Sequence, residues 1–257
     1  MPFMNIYFAI FFTVLGAVVG SFLNVCIYRI PAGASVILPS SHCPGCGHAI
    51  RFYDNIPILS YIILRGKCRY CAAKISVRYL IVELLTALTS LVFFLQYGLS
   101  WAYLCNFLFA AALIVVTFID LDHQIIPDVI TLPGIPFFAV AAIFLLGLPY
   151  GESLLGIVIG GGVFYLIGLG YELIKKKEGM GGGDIKLFAM IGGFLGWKSL
   201  IFVLLVSSCL GAVIGISIII YKKGDMRYAI PFGPFLSIAA ISYLFWGDNF
   251  MRYLAVR

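Results

Sequence analysis

The stretch Trp101-Ala-Tyr-Leu-Cys-Asn-Phe-Leu-Phe-Ala-Ala-Ala-Leu-Ile-Val-Val-Thr-Phe-Ile-Asp120 is predominantly apolar from Trp101 to Ile119 and then ends on a carboxylate. About 20 apolar residues are what a helix needs to cross the hydrocarbon core of a bilayer. The run is continuous rather than alternating, which favours a helix over a barrel strand. Working outward from 101–119, similar runs lie at roughly 6–28, 79–97, 129–147, 153–174, 184–197, 199–221 and 231–247. The pattern predicts an all-α polytopic membrane protein with about eight transmembrane helices. Composition agrees: 62% of residues are hydrophobic and 11% charged, against about 25% charged in an ordinary soluble domain. Mean hydropathy is +1.07.

The net charge of +6 is confined to short loops, so it reads as membrane orientation and not as a nucleic-acid surface. No Lys or Arg precedes the first apolar run, which predicts a retained helix at 6–28 instead of a cleaved signal peptide. With the N-terminus outside, 14 of the 17 Lys and Arg fall on inward segments. The excess of inward cations then places loops 29–78, 175–183 and 222–230 in the cytoplasm and both termini outside.

Two spans are irregular. Run 184–197 has 14 residues, about 21 Å of helix at 1.5 Å per residue, short of a bilayer core of about 30 Å. Run 129–147 contains Pro133 and Pro136, which predicts a late start with a proline in the first turn. The irregular ends of these two runs face the cytoplasm. Irregular backbone at membrane depth needs protein or a wet cavity around it, so a water-accessible pocket is expected there.

The loop 29–78 carries Cys43-Pro-Gly-Cys46 and Cys68-Arg-Tyr-Cys71, two C-x-x-C knuckles. Thiolate pairs at such spacing supply the four sulfur ligands of a structural zinc site. A reducing cytoplasm makes disulfides the poorer explanation. Four cysteine ligands close the site to chemistry, and the metal supplies stability that so small a loop lacks. His42 and His48 are surface residues in this reading, or substitute ligands. Cys26, Cys105 and Cys209 lie inside apolar runs as small core or lipid-facing residues.

Asp120 closes one run and Asp184 opens another, after Gly179-Met-Gly-Gly-Gly183. Ionisable groups at membrane depth are costly and mark function. Asp122 stands two residues after Asp120, about 200° around a helix, so the two do not share a site. Asp120, nearer the apolar run, is the better candidate. Asp128 follows Pro127 and reads as a helix cap, and capping is also the alternative for Asp184. The glycines before Asp184 suit a loop that receives an extended peptide beside a carboxylate. Two neighbouring carboxylates share a proton, and one can activate water while the other protonates a carbonyl oxygen. His123 adjoins the acidic cluster as a rim residue. As alternatives, Asp120, Asp122 and Asp184 can form an ion or proton path in a transporter, although no inverted repeat supports it. A non-enzymatic membrane assembly factor is a further reading.

Together these segments resemble the bifunctional type IV prepilin peptidases, the leader peptidase/N-methyltransferases of the GxGD aspartyl membrane proteases. The matching segments are Gly20-Ser-Phe-Leu-Asn24, Tyr28-Arg-Ile-Pro31, the paired cysteine knuckles, Asn55-Ile-Pro57, Ser60-Tyr61, Leu64-Arg-Gly-Lys-Cys68, Arg78-Tyr79 and Glu83. They continue through Ile119-Asp-Leu-Asp-His-Gln-Ile-Ile-Pro-Asp128, Thr131-Leu-Pro133 and Gly179-Met-Gly-Gly-Gly-Asp184-Ile-Lys186. Leu80 stands where many relatives carry Pro.

The resemblance implies catalysis by Asp120 and Asp184, with Gly181, Gly183 and Lys186 as supporting loop residues. It implies three parts: a first helix at 1–28, a methyltransferase-associated zinc domain at 29–78, and a peptidase domain at 79–257. The implied substrate is a prepilin or pseudopilin cut at a Gly–Phe junction, its helix remaining in membrane lipid. The new N-terminal amine is then methylated from S-adenosylmethionine. The implied location is the bacterial inner membrane, in a type IV pilus or type II secretion system, with no nucleic-acid partner. No Gly-rich cofactor motif marks the contacts to S-adenosylmethionine. Glu83, an acid near the interface, either shapes the methylation site or pairs with a loop cation such as Arg78.

Overall fold

The computed structural model describes residues 2–175, 181–221 and 231–255. Residues 176–180 and 222–230, which include Gly179 and five of the predicted inward cations, lie outside the described residues. Helices dominate: α1 (Pro2–Arg29), α2 (Leu59–Ile63), α3 (Val77–Tyr97), α4 (Trp101–His123), α5 (Asp128–Leu145), α6 (Tyr150–Lys175), α7 (Gly182–Leu195), α8 (Trp197–Tyr221) and α9 (Gly233–Ala255). Among the described residues, pairing of extended backbone is limited to isolated bridges. Among the described residues six helices, α1, α3, α4, α5, α6 and α8, are long and apolar enough to cross a membrane. The apolar part of α9, Gly233–Gly247, is shorter, and α7 has only 14 residues.

The elements begin and end where side chains and glycines dictate. Ser76 caps α3 by accepting the Arg78 N–H. Gly98 (φ 61°) and Gly196 (φ 81°) close α3 and α7 in the left-handed region, where a Cβ is disfavoured and a helix can turn off. The predicted late start of run 129–147 is not what forms. Helix α5 starts at Asp128, and both Pro133 and Pro136 sit inside it. Each proline removes one intrahelical hydrogen bond. Transmembrane helices tolerate this where neighbouring helices and side chains compensate, and α5 packs on α7 and α6.

The chain divides into two compact units, Met1–Val115 and Val116–Arg257, with the boundary inside α4. In the first unit α1 lies on α3. Gly16 and Gly20, four residues apart, put backbone on backbone: a Cβ at Gly16 would stand 2.6 Å from Ser90 Cβ, and one at Gly20 would stand 2.8 Å from Glu83 Cα. Small residues at this spacing let membrane helices approach closely. Ser90 Oγ is 2.7 Å from the Phe12 carbonyl and 2.8 Å from the Tyr103 hydroxyl. Phe12 and Phe94 stack beside that pair, and the Tyr103 ring meets both edge-on.

In the second unit α7 is enclosed by α5, α6 and α8, and every residue from Leu187 to Phe194 is buried. Gly156 of α6 meets the Gly192 backbone directly, and a Cβ at Gly160 would stand 2.7 Å from the Phe188 carbonyl. Ser153 donates to the Gly193 carbonyl at 2.6 Å. Protein, not lipid, is therefore the solvent of the short helix.

Candidate active site and metal centre

The last turns of α4 separate the two acids of Asp120-Leu-Asp122. Asp120 is 4% exposed, whereas Asp122 and His123 are exposed. Asp120 Oδ2 accepts the backbone N–H of Gly233 at 2.9 Å. Gly233 is the first residue of α9, and the first N–H groups of any helix have no intrahelical partner. The carboxylate satisfies one of them from 113 residues away and lies at the positive end of the helix dipole. Gly233 is needed there sterically, since a Cβ would stand 2.7 Å from Asp120 Oδ2 and 3.2 Å from Ile126 Cδ1.

Asp184 occupies the first turn of α7, which starts after Gly181. Its N–H bonds the Gly181 carbonyl at 3.1 Å. One oxygen of its side chain, Oδ1, is buried and has no hydrogen-bond partner. Ile126 lies against both Gly183, the residue before Asp184, and Gly233, the residue that holds Asp120, so the supports of the two carboxylates meet at one side chain. Ile126 wedges between their supports. Its Cδ1 faces Gly233, and a Cβ at Gly183 would stand 2.7 Å from Ile126 Cβ. Ser237, one turn along α9 from Gly233, buries a second polar atom without a partner, its hydroxyl.

Lys186 does not point at this pair. Its Nζ holds both oxygens of Asp128, at 2.7 and 2.8 Å. Asp128 is therefore not the helix cap that its sequence context predicts. Pro127 occupies the cap position, and the carboxylate ties the start of α5 to the start of α7. Gly181 is exposed at the loop end.

In the first unit the four knuckle cysteines converge. The sulfurs of Cys43, Cys46, Cys68 and Cys71 all lie within 4.8 Å of one another. Cys43 and Cys71 are 3.8 Å apart, the edge of a tetrahedron with metal–sulfur bonds of about 2.3 Å. Each knuckle is closed by one bridge, His42 to Ala49 and Lys67 to Lys74. The Cys71 and Tyr70 amides lower the Cys68 thiol to about 7. The Ala73 amide also pulls on Cys71, but burial and the Cys46, Cys68 and Cys43 sulfurs outweigh it and push that thiol up to about 11. A thiolate beside three more sulfurs resists a second negative charge unless a cation shares the site. The donor set fits zinc, which would hold the two knuckles together and add no open coordination position. The His48 ring lies tilted against Tyr70 and His42 Nδ1 faces the Ser40 carbonyl, and neither belongs to the group of four converging ligand atoms.

Residues 14–97 match the bacterial peptidase A24 N-terminal domain, and residues 107–216 match the type IV leader peptidase family. A Pseudomonas putida protein named prepilin leader peptidase/N-methyltransferase is 39% identical, over 95% of this chain and 92% of its own. Proteins of the same name from Aeromonas salmonicida and Pseudomonas aeruginosa are each 38% identical, covering 94% and 90% of their own lengths. The chain belongs to the type IV leader peptidase family. No solved structure matches it. In this leader peptidase the N-terminal match takes in all four cysteines and Glu83, and the second match takes in Asp120 and Asp184. Gly233 lies beyond both, and sequence reading overlooked it. A Gly-Pro pair at the mouth of an apolar run, Phe232-Gly-Pro234, marks a helix start, but which carboxylate that start would receive is not written there.

Proposed function

We propose that this protein cleaves the leader from type IV prepilins or pseudopilins at a Gly–Phe junction and methylates the new N-terminal residue with S-adenosylmethionine. Asp120 and Asp184 are the catalytic pair. The observation that carries this reading is that two carboxylates have their supports joined through Ile126, one anchored by a helix N-terminus and the other with a buried oxygen left open. An acid pair of this kind shares one proton and titrates as a unit. The carboxylate without the proton takes one from water as the water attacks the scissile carbonyl, and its partner protonates the carbonyl oxygen. The Gly233 N–H fixes the orientation of Asp120, leaving Asp184 Oδ1 to meet water or peptide.

The excess of Lys and Arg on the inward segments supports a pair at the cytoplasmic edge of the inner membrane, with both termini outside. There a substrate helix keeps its apolar part in lipid while its basic leader reaches the site. The zinc module at 29–78 belongs with methylation, and the cleaving pair lies in the helices that follow it. The test is a mass measurement on a pilin precursor incubated with purified protein and S-adenosylmethionine. Loss of the leader with gain of one methyl group is expected. An intact precursor would remove the peptidase reading, and a shortened but unmodified product would remove the methylation.

A further inference from the structure

A short link, Gln124-Ile-Ile-Pro127, joins α4 to α5. Both of its ends are tied. The Gln124 N–H donates to the Asp120 carbonyl at 2.9 Å. Gln124 takes φ 55°, the left-handed conformation that ends many helices and usually falls to glycine. At the other end Pro127 is buried, and Lys186 of α7 holds Asp128. These ties keep the middle of the link in one place.

Ile126, in that middle, is half-buried and lies against the starts of two helices. A Cβ at Gly183 of α7 would stand 2.7 Å from Ile126 Cβ and 3.4 Å from both its Cγ1 and its carbonyl oxygen. A Cβ at Gly233 of α9 would stand 3.2 Å from Ile126 Cδ1. Glycine at both positions lets the isoleucine seat against bare backbone. Each of these helix starts supports one acid: Asp184 follows Gly183, and the Gly233 N–H holds Asp120 Oδ2. A branched side chain between two backbones sets how closely they approach, because packed interiors resist compression. Ile126 has no polar side-chain atom, so its part is spacing and not proton transfer.

We propose that Ile126 is a positioning residue for cleavage: its side chain sets the spacing between Asp120 and Asp184, and with it the room for the attacking water. The proposal rests on the cleavage reading above. Two acids that share a proton show two apparent pKa values, which separate further as the acids approach. A shorter spacer lets the two helix starts close, which crowds the water and drives those values apart. A larger spacer parts the acids, which breaks the shared proton and brings the values together. Both changes slow the chemical step, since a displacement approaching 1 Å at a catalytic group costs on the order of 100-fold. The remaining titratable side chains on these segments are Asp122 and His123, exposed at the end of α4, and Asp128 with its partner Lys186. They are common to all variants at residue 126 and do not produce shifts of opposite sign.

The test compares the full-length, zinc-loaded protein in detergent with Ile126→Ala and Ile126→Phe, following kcat for prepilin cleavage across pH, with thermal melting to show that each is folded. Ile126→Ala should lower kcat by about 10–100-fold and widen the bell-shaped pH profile. Ile126→Phe should lower kcat to a similar extent and narrow the profile. A variant that is only less well folded loses amplitude at every pH and keeps the parent's profile shape. Lost amplitude with an unaltered shape, shifts of the same sign in both variants, or parent-level kcat in Ile126→Ala would each overturn the proposal while leaving cleavage by this protein intact. If neither variant folds, Ile126→Val decides. It removes the Cδ1 that faces Gly233 and should lower kcat by less than about tenfold with a slight widening; an unchanged rate and profile would overturn the spacer. Absence of cleavage by the unaltered protein would overturn the cleavage reading itself.

Discussion

Residues 1–115 and 116–257 each brace a buried acid with a backbone N–H, Glu83 on Ile58 and Asp120 on Gly233, and the second unit adds an acid that is left open. Glu83 in the first unit is hydrogen-bonded by Ile58 and Ser21. Asp184 in the second buries Oδ1 with no partner. A buried polar atom without a partner costs roughly 1–3 kcal/mol, more for a charged group. A fold keeps such an atom open where a reactant will use it. The contrast sets a braced carboxylate on a cavity wall against one with an open oxygen, which is where the proposed water activation can be tested.

The largest effect expected from breaking this contrast is on cleavage. Asp120→Asn and Asp184→Asn should each lower it by about 10²–10⁴-fold, with methylation of a leaderless pilin unchanged. Cleavage by either variant at the parent rate would remove that residue from the pair. Metal removal probes the other side. Dialysis against a chelator should release zinc, and methyl transfer should fall more than about tenfold, because the module proposed to serve methylation depends on metal for its fold. Cleavage should fall less, and added zinc should restore transfer. Equal losses in both activities would mean that the two units are not functionally separate. Gly233→Ala sharpens the comparison within the second unit. Its Cβ would stand 2.7 Å from Asp120 Oδ2, and a displacement approaching 1 Å at a catalytic group costs on the order of 100-fold. Cleavage should drop by about that factor or less, again without effect on transfer to a leaderless peptide. The smallest effect belongs to Asp128→Ala, which removes a largely exposed pair with Lys186. It should change thermal stability by about 1 kcal/mol or less.

The helices were legible in the sequence because lipid demands long apolar runs and gives them no other use. Even α7 kept its 14 residues, shifted from the expected 184–197 to Gly182–Leu195. Prolines misled: Pro133 and Pro136 suggested a late start to α5, by a rule strongest where a helix stands alone. The cysteine spacing was readable because both knuckles are local in sequence and carry their ligands in side chains. Asp120 could be preferred to Asp122 from its place in the apolar run, and their burial differs in the same sense. What could not be read is the Gly233 N–H on Asp120. A backbone donor has no residue type, and the contact spans 113 positions. The Ile58 turn, at φ 64°, was hidden for the same reason, since nothing in Ile56-Pro57-Ile58 announces a positive φ at the residue whose N–H Glu83 holds.

The enclosure of α7 has a consequence for how the enzyme meets different membranes. A helix of about 21 Å facing lipid would suffer hydrophobic mismatch, tilting or thinning the bilayer as thickness changes. Leu187–Phe194 face protein instead, while α8, most of whose surface is open, is left to follow the lipid. Changes in acyl-chain length should therefore be absorbed by the peripheral helices. The Asp184 end of α7 keeps its register with Asp120 in thin and thick bilayers alike.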